Sequence, residues 1–316
     1  MKCLILGGAG FIGSHVVEKF VQGGHIVTVL DGLLPRTGGR RENLATVADK
    51  IRFLDQPIEK IPDLPALVSG MDVIVDCMGW TCHRLALADP LYDVALNVSS
   101  HLPLLQAIEE GSGKCFIYLG SRGQYGNPKV SRITEETATL PEDVQGVNKL
   151  AAESLVRIMA KLKKIPALSL RFGNCFGPRQ PVAGDDIGLV GSFLRDVLQG
   201  RVVELYGKNR TRPVIYSEDV AAAVLQCAEL RPAAGFEAFN LAGHDVALEE
   251  LLACLIRTAA QGSYTMRDFP EEIKKIDVGN AEFCGDKLRA RLGGQQVTSL
   301  ETSLAHTVAY FRKALS

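Results

Sequence analysis

The chain has 316 residues, with 35 lysines and arginines against 36 aspartates and glutamates and a net charge of −1. That balance recommends neither nucleic acid nor an anionic membrane surface as partner, and no apolar run is long enough to span a bilayer. The length suits one large α/β domain or one domain with a smaller lobe, and 47% hydrophobic and 22% charged residues are ordinary for a soluble globular enzyme. Met1-Lys2 leads straight into an apolar segment, leaving no room for a signal peptide. Eight cysteines are scattered without a CxxC spacing, so they read as reduced, small apolar side chains of a cytoplasmic protein, and no metal site is expected.

The first predicted strand, 2–6, runs into Gly7-Gly8-Ala9-Gly10-Phe11-Ile12-Gly13, and a helix is predicted over 12–22. A second strand, 26–30, ends at Asp31. Strand, glycine turn, helix, second strand and terminal acid together describe a dinucleotide site. Glycines let the backbone approach a pyrophosphate, and the helix N-terminus offers it N–H groups and positive dipole charge. Asp31 can accept from the adenosine ribose hydroxyls and would repel a 2′-phosphate, which favours NAD over NADP. Arg36, Arg40 and Arg41 follow closely. An arginine against a 2′-phosphate would reverse the preference; the other reading is a solvated loop. Asp55, after a third strand at 51–54, is placed either to bond the adenine amine or to stand as a solvated loop acid.

Further strands at 72–77, 114–119 and 166–171 alternate with helices at 88–110 and 145–162. This order predicts a doubly wound, parallel Rossmann sheet with ligand at the carboxyl ends of its strands. The fifth strand opens into Gly120-Ser121-Arg122, where Ser121 either faces the crevice or caps the turn. Gln145 and Lys149 lie one helical turn apart and share a face; the lysine either reaches a nicotinamide ribose or sits at the surface. Beyond Arg171, residues Gly173, Gly177, Pro178 and Pro181 interrupt regular structure. Shorter elements follow: helices at 189–199, 217–229, 247–260 and 299–313, and strands at 202–206 and 213–216. The expected division is an NAD-binding domain over 1–171 and, over 172–316, mainly a substrate-binding lobe with some return to the sheet.

Several segments in this order carry a family likeness: Gly7, Gly10 and Gly13 with Asp31, Asp89-Pro90, Asn97-Val98, and Ser121 ahead of Tyr125-Gly126. They continue through Lys149-Leu150-Ala151-Ala152-Glu153, Arg171-Phe172-Gly173-Asn174, Gly177-Pro178-Arg179-Gln180, Tyr206-Gly207, Thr211-Arg212 and Asp219-Val220. Over nearly its whole length the chain resembles the extended short-chain dehydrogenase/reductase superfamily, in particular its NAD-dependent nucleotide-sugar epimerase/dehydratase group. The resemblance implies that Gly7, Gly10 and Gly13, around Phe11 and Ile12, hold the NAD pyrophosphate and Asp31 the adenosine ribose. It implies that Ser121 bonds the reacting sugar hydroxyl, that Lys149 bonds the nicotinamide ribose, and that Asn174 and Arg212 hold the diphosphate of a nucleotide sugar. It also implies a homodimer formed through the helices at 88–110 and 145–162.

One position departs from the pattern. The family's catalytic helix carries Tyr-x-x-x-Lys, and here the tyrosine position is Gln145. A primary amide does not titrate in water, so Gln145 can hold a hydroxyl but cannot take its proton, a task worth about 10²–10⁴ in rate. Three readings follow. Another group takes the proton, with Tyr125, His83 and Cys82 as the candidates near the crevice; the protein binds NAD and a nucleotide sugar with little turnover; or Gln145 is a substitution introduced to trap a ligand. The leading expectation is an epimerase acting through a transient keto intermediate. The alternatives are a weakly catalytic or non-catalytic binding protein and an NADH-dependent keto-sugar reductase. Arg122 is a bulky cation where the family has small residues, placed either to meet an acidic sugar group or to face solvent.

Overall fold

The computed structural model describes residues 1–184, 187–268 and 279–315. The strands of the amino-terminal half are β1 (Lys2–Leu6), β2 (Ile26–Asp31), β3 (Ile51–Asp55), β4 (Val73–Asp76), β5 (Cys115–Leu119), the short β6 (Arg132–Ile133) and β7 (Pro166–Phe172). The remainder supplies β8 (Asn174–Phe176), β9 (Val202–Tyr206), β10 (Thr211–Tyr216), β11 (Gly235–Leu241), β12 (His244–Ala247) and β13 (Ser263–Arg267). Helices are α1 (Phe11–Gln22), α2 (Leu64–Ser69), α3 (His83–Ala88), α4 (Pro90–Val94), α5 (His101–Ala107), α6 (Val144–Lys163), α7 (Gly188–Leu198), α8 (Ser217–Glu229) and α9 (Leu248–Ala259), followed by Asp286–Leu292 and Leu300–Leu315.

Seven parallel strands form the main sheet in the order β11-β7-β5-β4-β1-β2-β3. Strands buried on both faces read as unbroken apolar runs rather than alternations, which is why 3–6 and 115–119 stand out in the sequence. Side-chain direction still alternates. Cys3, Ile5, Val27, Val29, Val75 and Ile117 pack on α1 and α8, whereas Leu4, Leu6, Leu30, Ile74 and Phe116 pack on α5 and α6. Strand order reverses between β1 and β4, so a crevice opens at their carboxyl ends.

The second half of the chain contributes to this unit through β11, at the sheet edge beside β7, and through α8, whose Val220 and Val224 join Val16, Val17 and Phe20 of α1 in one core. A separate core packs Leu194 and Val197 of α7 against Leu251 and Leu255 of α9, with Leu205, Val214 and Leu304. The expected strand at 202–206 pairs with β13, and that at 213–216 lies within β10, between β8 and β12.

The continuous helix expected over 88–110 is not observed. Asp89 ends α3 and caps α4, its carboxylate accepting from Tyr92 N at 3.2 Å with Pro90 in the first turn. Residues 95–99 then open into a π-helical turn, with Ser100 N donating to Ala95 O at 3.0 Å. Asn97 in that turn bonds both backbone groups of Trp80, at 2.9 and 3.0 Å. Such π-turns cluster at functional sites, and this one fixes the segment leading out of β4.

His15 of α1 joins the two halves. Its Nδ1 accepts from Arg179 at 2.7 Å, while Nε2 lies 2.9 Å from the Pro178 carbonyl oxygen and 3.0 Å from Ser217 Oγ. Arg179 also pairs with Glu18 at 2.6 Å. Burial, reinforced by Arg179, pushes His15 down to about 4. The unfolded chain therefore binds the proton more readily. Stability should be level above the ordinary histidine value and fall as pH drops from about 6.5 towards 4, by roughly 3 kcal/mol in all. Urea unfolding at pH 7.5 and 5 should show about 2 kcal/mol of this loss, and His15→Gln should flatten it. A wild-type stability unchanged over that interval would contradict the assignment.

Candidate active site

The crevice is lined by the glycine turn, Phe11, Ile12, Asp31, the 32–39 loop, Gln56–Glu59 and the Cys77–Gly79 segment. At Gly13 a Cβ would run into the Gly7 carbonyl oxygen, so only glycine lets α1 start this close to β1. Asp31 Oδ2 accepts from Ala9 N and Oδ1 from Leu33 N, both at 2.9 Å. Burial pushes the Asp31 carboxyl up against these two bonds, yet each oxygen retains a lone pair for a ribose hydroxyl. Two of the three nearby arginines are engaged elsewhere. Arg36 stacks over Tyr92 and Trp80, with its guanidinium carbon 4.8 and 5.6 Å from the ring centres. Arg41 pairs with Asp55. Beside Asp55, residues Gln56, Pro57, Ile58 and Glu59 line the crevice.

Lys149 is buried, and its ammonium donates to the carbonyl oxygens of Met78 and Leu119, each at 3.3 Å. These carbonyls follow β4 and end β5, so the charge sits at the carboxyl edge of the sheet. A Cβ on residue 79 would lie 2.8 Å from Lys149 Nζ, and glycine leaves that space clear. Burial lowers the lysine pKa, while Asp76, Cys77 and Asp93 oppose it. Gln145, one turn earlier, donates from Nε2 to the Trp80 carbonyl oxygen at 2.9 Å. Ser121 caps the short turn Arg122–Tyr125: its Oγ accepts from Gly123 N at 3.0 Å, and its N donates to Gln124 Oε1 at 2.8 Å. The cap and a position beside the crevice are compatible, because the hydroxyl proton is not used by that bond.

The candidate proton carriers separate. Tyr125 is fully buried, its hydroxyl donates to Asn240 Oδ1 and accepts from Arg171, both at 2.7 Å, and burial raises its pKa. It belongs to a structural network that continues from Arg171 to Glu153. Cys82 is half-buried at the start of α3. His83, beside it, is exposed, with Nδ1 3.8 Å from Asp143 Oδ1. Asp143 caps α6 by accepting from Gly146 N at 2.7 Å. Burial tends to raise its carboxyl, but His83 and the helix N–H groups hold it below the usual range. The structure thus brings His83 and Asp143 to the end of α6 that carries Gln145.

Asn174 opens β8 and donates to the Pro213 carbonyl oxygen at 3.3 Å. Arg212, on the adjoining β10, is buried and donates to Thr211 O at 2.7 Å. The buried pair Asp76–His101, 2.6 Å apart behind Lys149, was not anticipated; only an acid ending an apolar strand hinted at it. Among the described residues no group of three metal-binding side chains converges, and no helix is long and apolar enough to cross a membrane.

Residues 3–242 match the NAD dependent epimerase/dehydratase family. The chain is 29% identical to the UDP-glucose 4-epimerase of Mycolicibacterium smegmatis over 99% of both chains. Its fold is similar to that of the Thermotoga maritima UDP-glucose 4-epimerase solved with UDP-glucose, with a TM-score of 0.85, 28% identity and full coverage of both chains. It is also similar to the Thermus thermophilus UDP-glucose 4-epimerase solved with NAD, with a TM-score of 0.81, 26% identity, and 99% and 100% coverage.

The carboxylate of Asp31 should set cofactor choice. NAD is expected to bind at least about tenfold more tightly than NADP, about 1.4 kcal/mol, and Asp31→Ala should shrink that gap. Calorimetric titration of the cofactor-stripped protein checks this; equal affinities in the wild type would contradict it.

Proposed function

We propose that this chain, which belongs to the NAD-dependent epimerase/dehydratase family, is an epimerase of a nucleotide-linked sugar that works through a transient keto sugar. NAD supplies reversible hydride exchange with a sugar carbon. Gly7, Gly10 and Gly13 would hold its pyrophosphate, Asp31 its adenosine ribose and Lys149 its nicotinamide ribose. The observation that carries the reading is the Lys149 ammonium, anchored between two strand-end carbonyls on the crevice and one turn from Gln145. Ser121 would bond the reacting hydroxyl, and Asn174 and Arg212 the diphosphate, where an arginine fork suits phosphate oxygens.

The proton of that hydroxyl needs an acceptor that Gln145 cannot provide. We assign it to His83, with Asp143 orienting the imidazole and stabilising its protonated form, as a carboxylate does for a histidine base. Gln145, whose carbonyl oxygen is not committed by the Trp80 bond, would position the hydroxyl. The same neutral amide favours the second reading, a protein that binds its ligands with little turnover.

The homodimer reading is supported by an apolar surface. Helices α3 and α4 pack on α6, and together they leave Leu87, Leu91, Val147, Ile158 and Leu162 exposed, Leu91 by 81%. Exposed apolar residues gathered on neighbouring helices mark an interaction site. Sedimentation should give a dimer mass for the wild type and a monomer mass for Leu91→Glu combined with Ile158→Glu. A monomeric wild type would contradict this assembly.

Turnover of nucleotide sugars decides the chemistry. His83→Ala should lower kcat by about 10²–10⁴ and remove the acid limb of the pH profile, with nucleotide-sugar affinity unchanged. Gln145→Tyr in the His83→Ala background should restore part of the rate. Full activity in His83→Ala would overturn the assignment, and ligand binding without turnover in the wild type would favour the second reading.

A further inference from the structure

We propose that Arg36 is a positioning residue for the cofactor: stacked on Tyr92 and Trp80, it fastens loop 32–39 as a strap over the crevice and slows the release of NAD. This rests on the reading of the crevice as the NAD site. The strap begins and ends at Asp31. Leu33 N donates to Asp31 Oδ1 at 2.9 Å, and a Cβ on residue 39 would lie 3.0 Å from the same oxygen. Between those points Leu34, Thr37 and Gly38 line the crevice. At Gly38 the strap reaches the second half of the chain, where an added Cβ would lie 3.7 Å from Pro181, itself a lining residue.

The tip of the strap is the turn Leu34-Pro35-Arg36-Thr37, closed by Thr37 N on the Leu34 carbonyl oxygen at 3.2 Å. Proline suits its second position. The third has φ 66°, which favours glycine, and it carries Arg36. A side chain held in that conformation persists only where its surroundings outweigh the strain. The surroundings here are two rings. Tyr92 and Trp80 meet edge to face, 5.0 Å between centres, and the guanidinium lies against both. Asp89 adds a carboxylate 3.8 Å away, an exposed pair that contributes little by itself. The same two residues hold the backbone of the tip: Trp80 Nε1 donates to the Arg36 carbonyl oxygen at 2.9 Å, and the Tyr92 hydroxyl to that of Pro35 at 3.1 Å. Trp80 is a fixed post, because Asn97 clamps both of its backbone groups. Leu34 and Thr37 thus face the crevice, while Arg36 between them is exposed and grips the rings.

Release of the fluorescent analogue etheno-NAD, chased with excess NAD in stopped flow, tests the proposal. Arg36→Gly should raise the release rate about three- to tenfold, the effect of removing a half-exposed cation from two rings. Glycine suits this turn position, so the urea midpoint should not fall. Tyr92→Leu should act alike, and the double variant should release hardly faster than either single one, since each opens the same latch. Trp80 is the only tryptophan of the chain and is 1% exposed, so its quenching by acrylamide should rise in step with release. An unchanged release rate in Arg36→Gly would overturn the proposal. So would effects that multiply in the double variant, or faster release with Trp80 still shielded. A wild type that does not bind etheno-NAD would instead overturn the cofactor site, and this inference with it.

Discussion

Lys149 places an ammonium where water does not reach it freely, and much of the local architecture follows from keeping it there. The charge is held by the carbonyls of Met78 and Leu119 and lies 5.1 Å from the centre of the Tyr118 ring. An uncompensated buried charge costs several kcal/mol. The compensation comes from below: Asp76 is fully buried, pairs with His101, and accepts from Met78 N at 3.0 Å, thereby shaping the segment whose carbonyl receives the lysine. Gly79 clears the space above it. Asn97, turned inward by the π-helical turn, clamps Trp80 and so fixes the far end of the same segment. The irregular helix and the buried Asp–His pair thus have one consequence, a rigid cationic corner at the carboxyl edge of β4 and β5.

Gln145 stands beside that corner as a neutral neighbour. In the family pattern a tyrosine there couples to the lysine and changes charge during reaction. Here the lysine faces an amide whose NH2 is bonded to a backbone carbonyl, and the balancing negative charge belongs to Asp76. Positioning and proton transfer are therefore divided in the proposed mechanism. Lys149 and Gln145 orient, while the proton goes to the exposed His83, where Asp143 links the imidazole to the first turn of the same helix. One crevice can then hold its ligands rigidly and still exchange a proton with solvent through an exposed histidine.

What the sequence made legible was what local pattern encodes. The β1–α1–β2 unit was read closely because its strands are unbroken apolar runs and its glycine spacing is dictated by contact within ten residues. Spacing puts Lys149 on one helix face with Gln145 but leaves a surface lysine open, and only the fold shows that it is buried on two carbonyls. Features that depend on distant partners were not legible. Nothing local to Asp55 reveals its pairing with Arg41, on the other side of the loop. Tyr125 is a candidate by position only, and nothing local reveals which partners, Asn240 and Arg171, converge on its hydroxyl. The helix at 88–110 was read as continuous because its apolar period persists through Asn97, and only Trp80 shows why it widens there. β11 was passed over because Glu237 and a half-buried edge position blunt its apolar signal.

The account stands on hydride exchange between a bound nicotinamide and a nucleotide sugar in a site that lacks the tyrosine. The near-ultraviolet absorbance of reduced nicotinamide, followed on the purified NAD-loaded protein as nucleotide sugars are added, tests this most directly. The account predicts partial reduction that stays with the protein on gel filtration and is lost in Lys149→Ala. An NAD-loaded protein that binds a nucleotide sugar yet shows no reduction with any member of a UDP-, dTDP-, GDP- and CDP-sugar panel would contradict it.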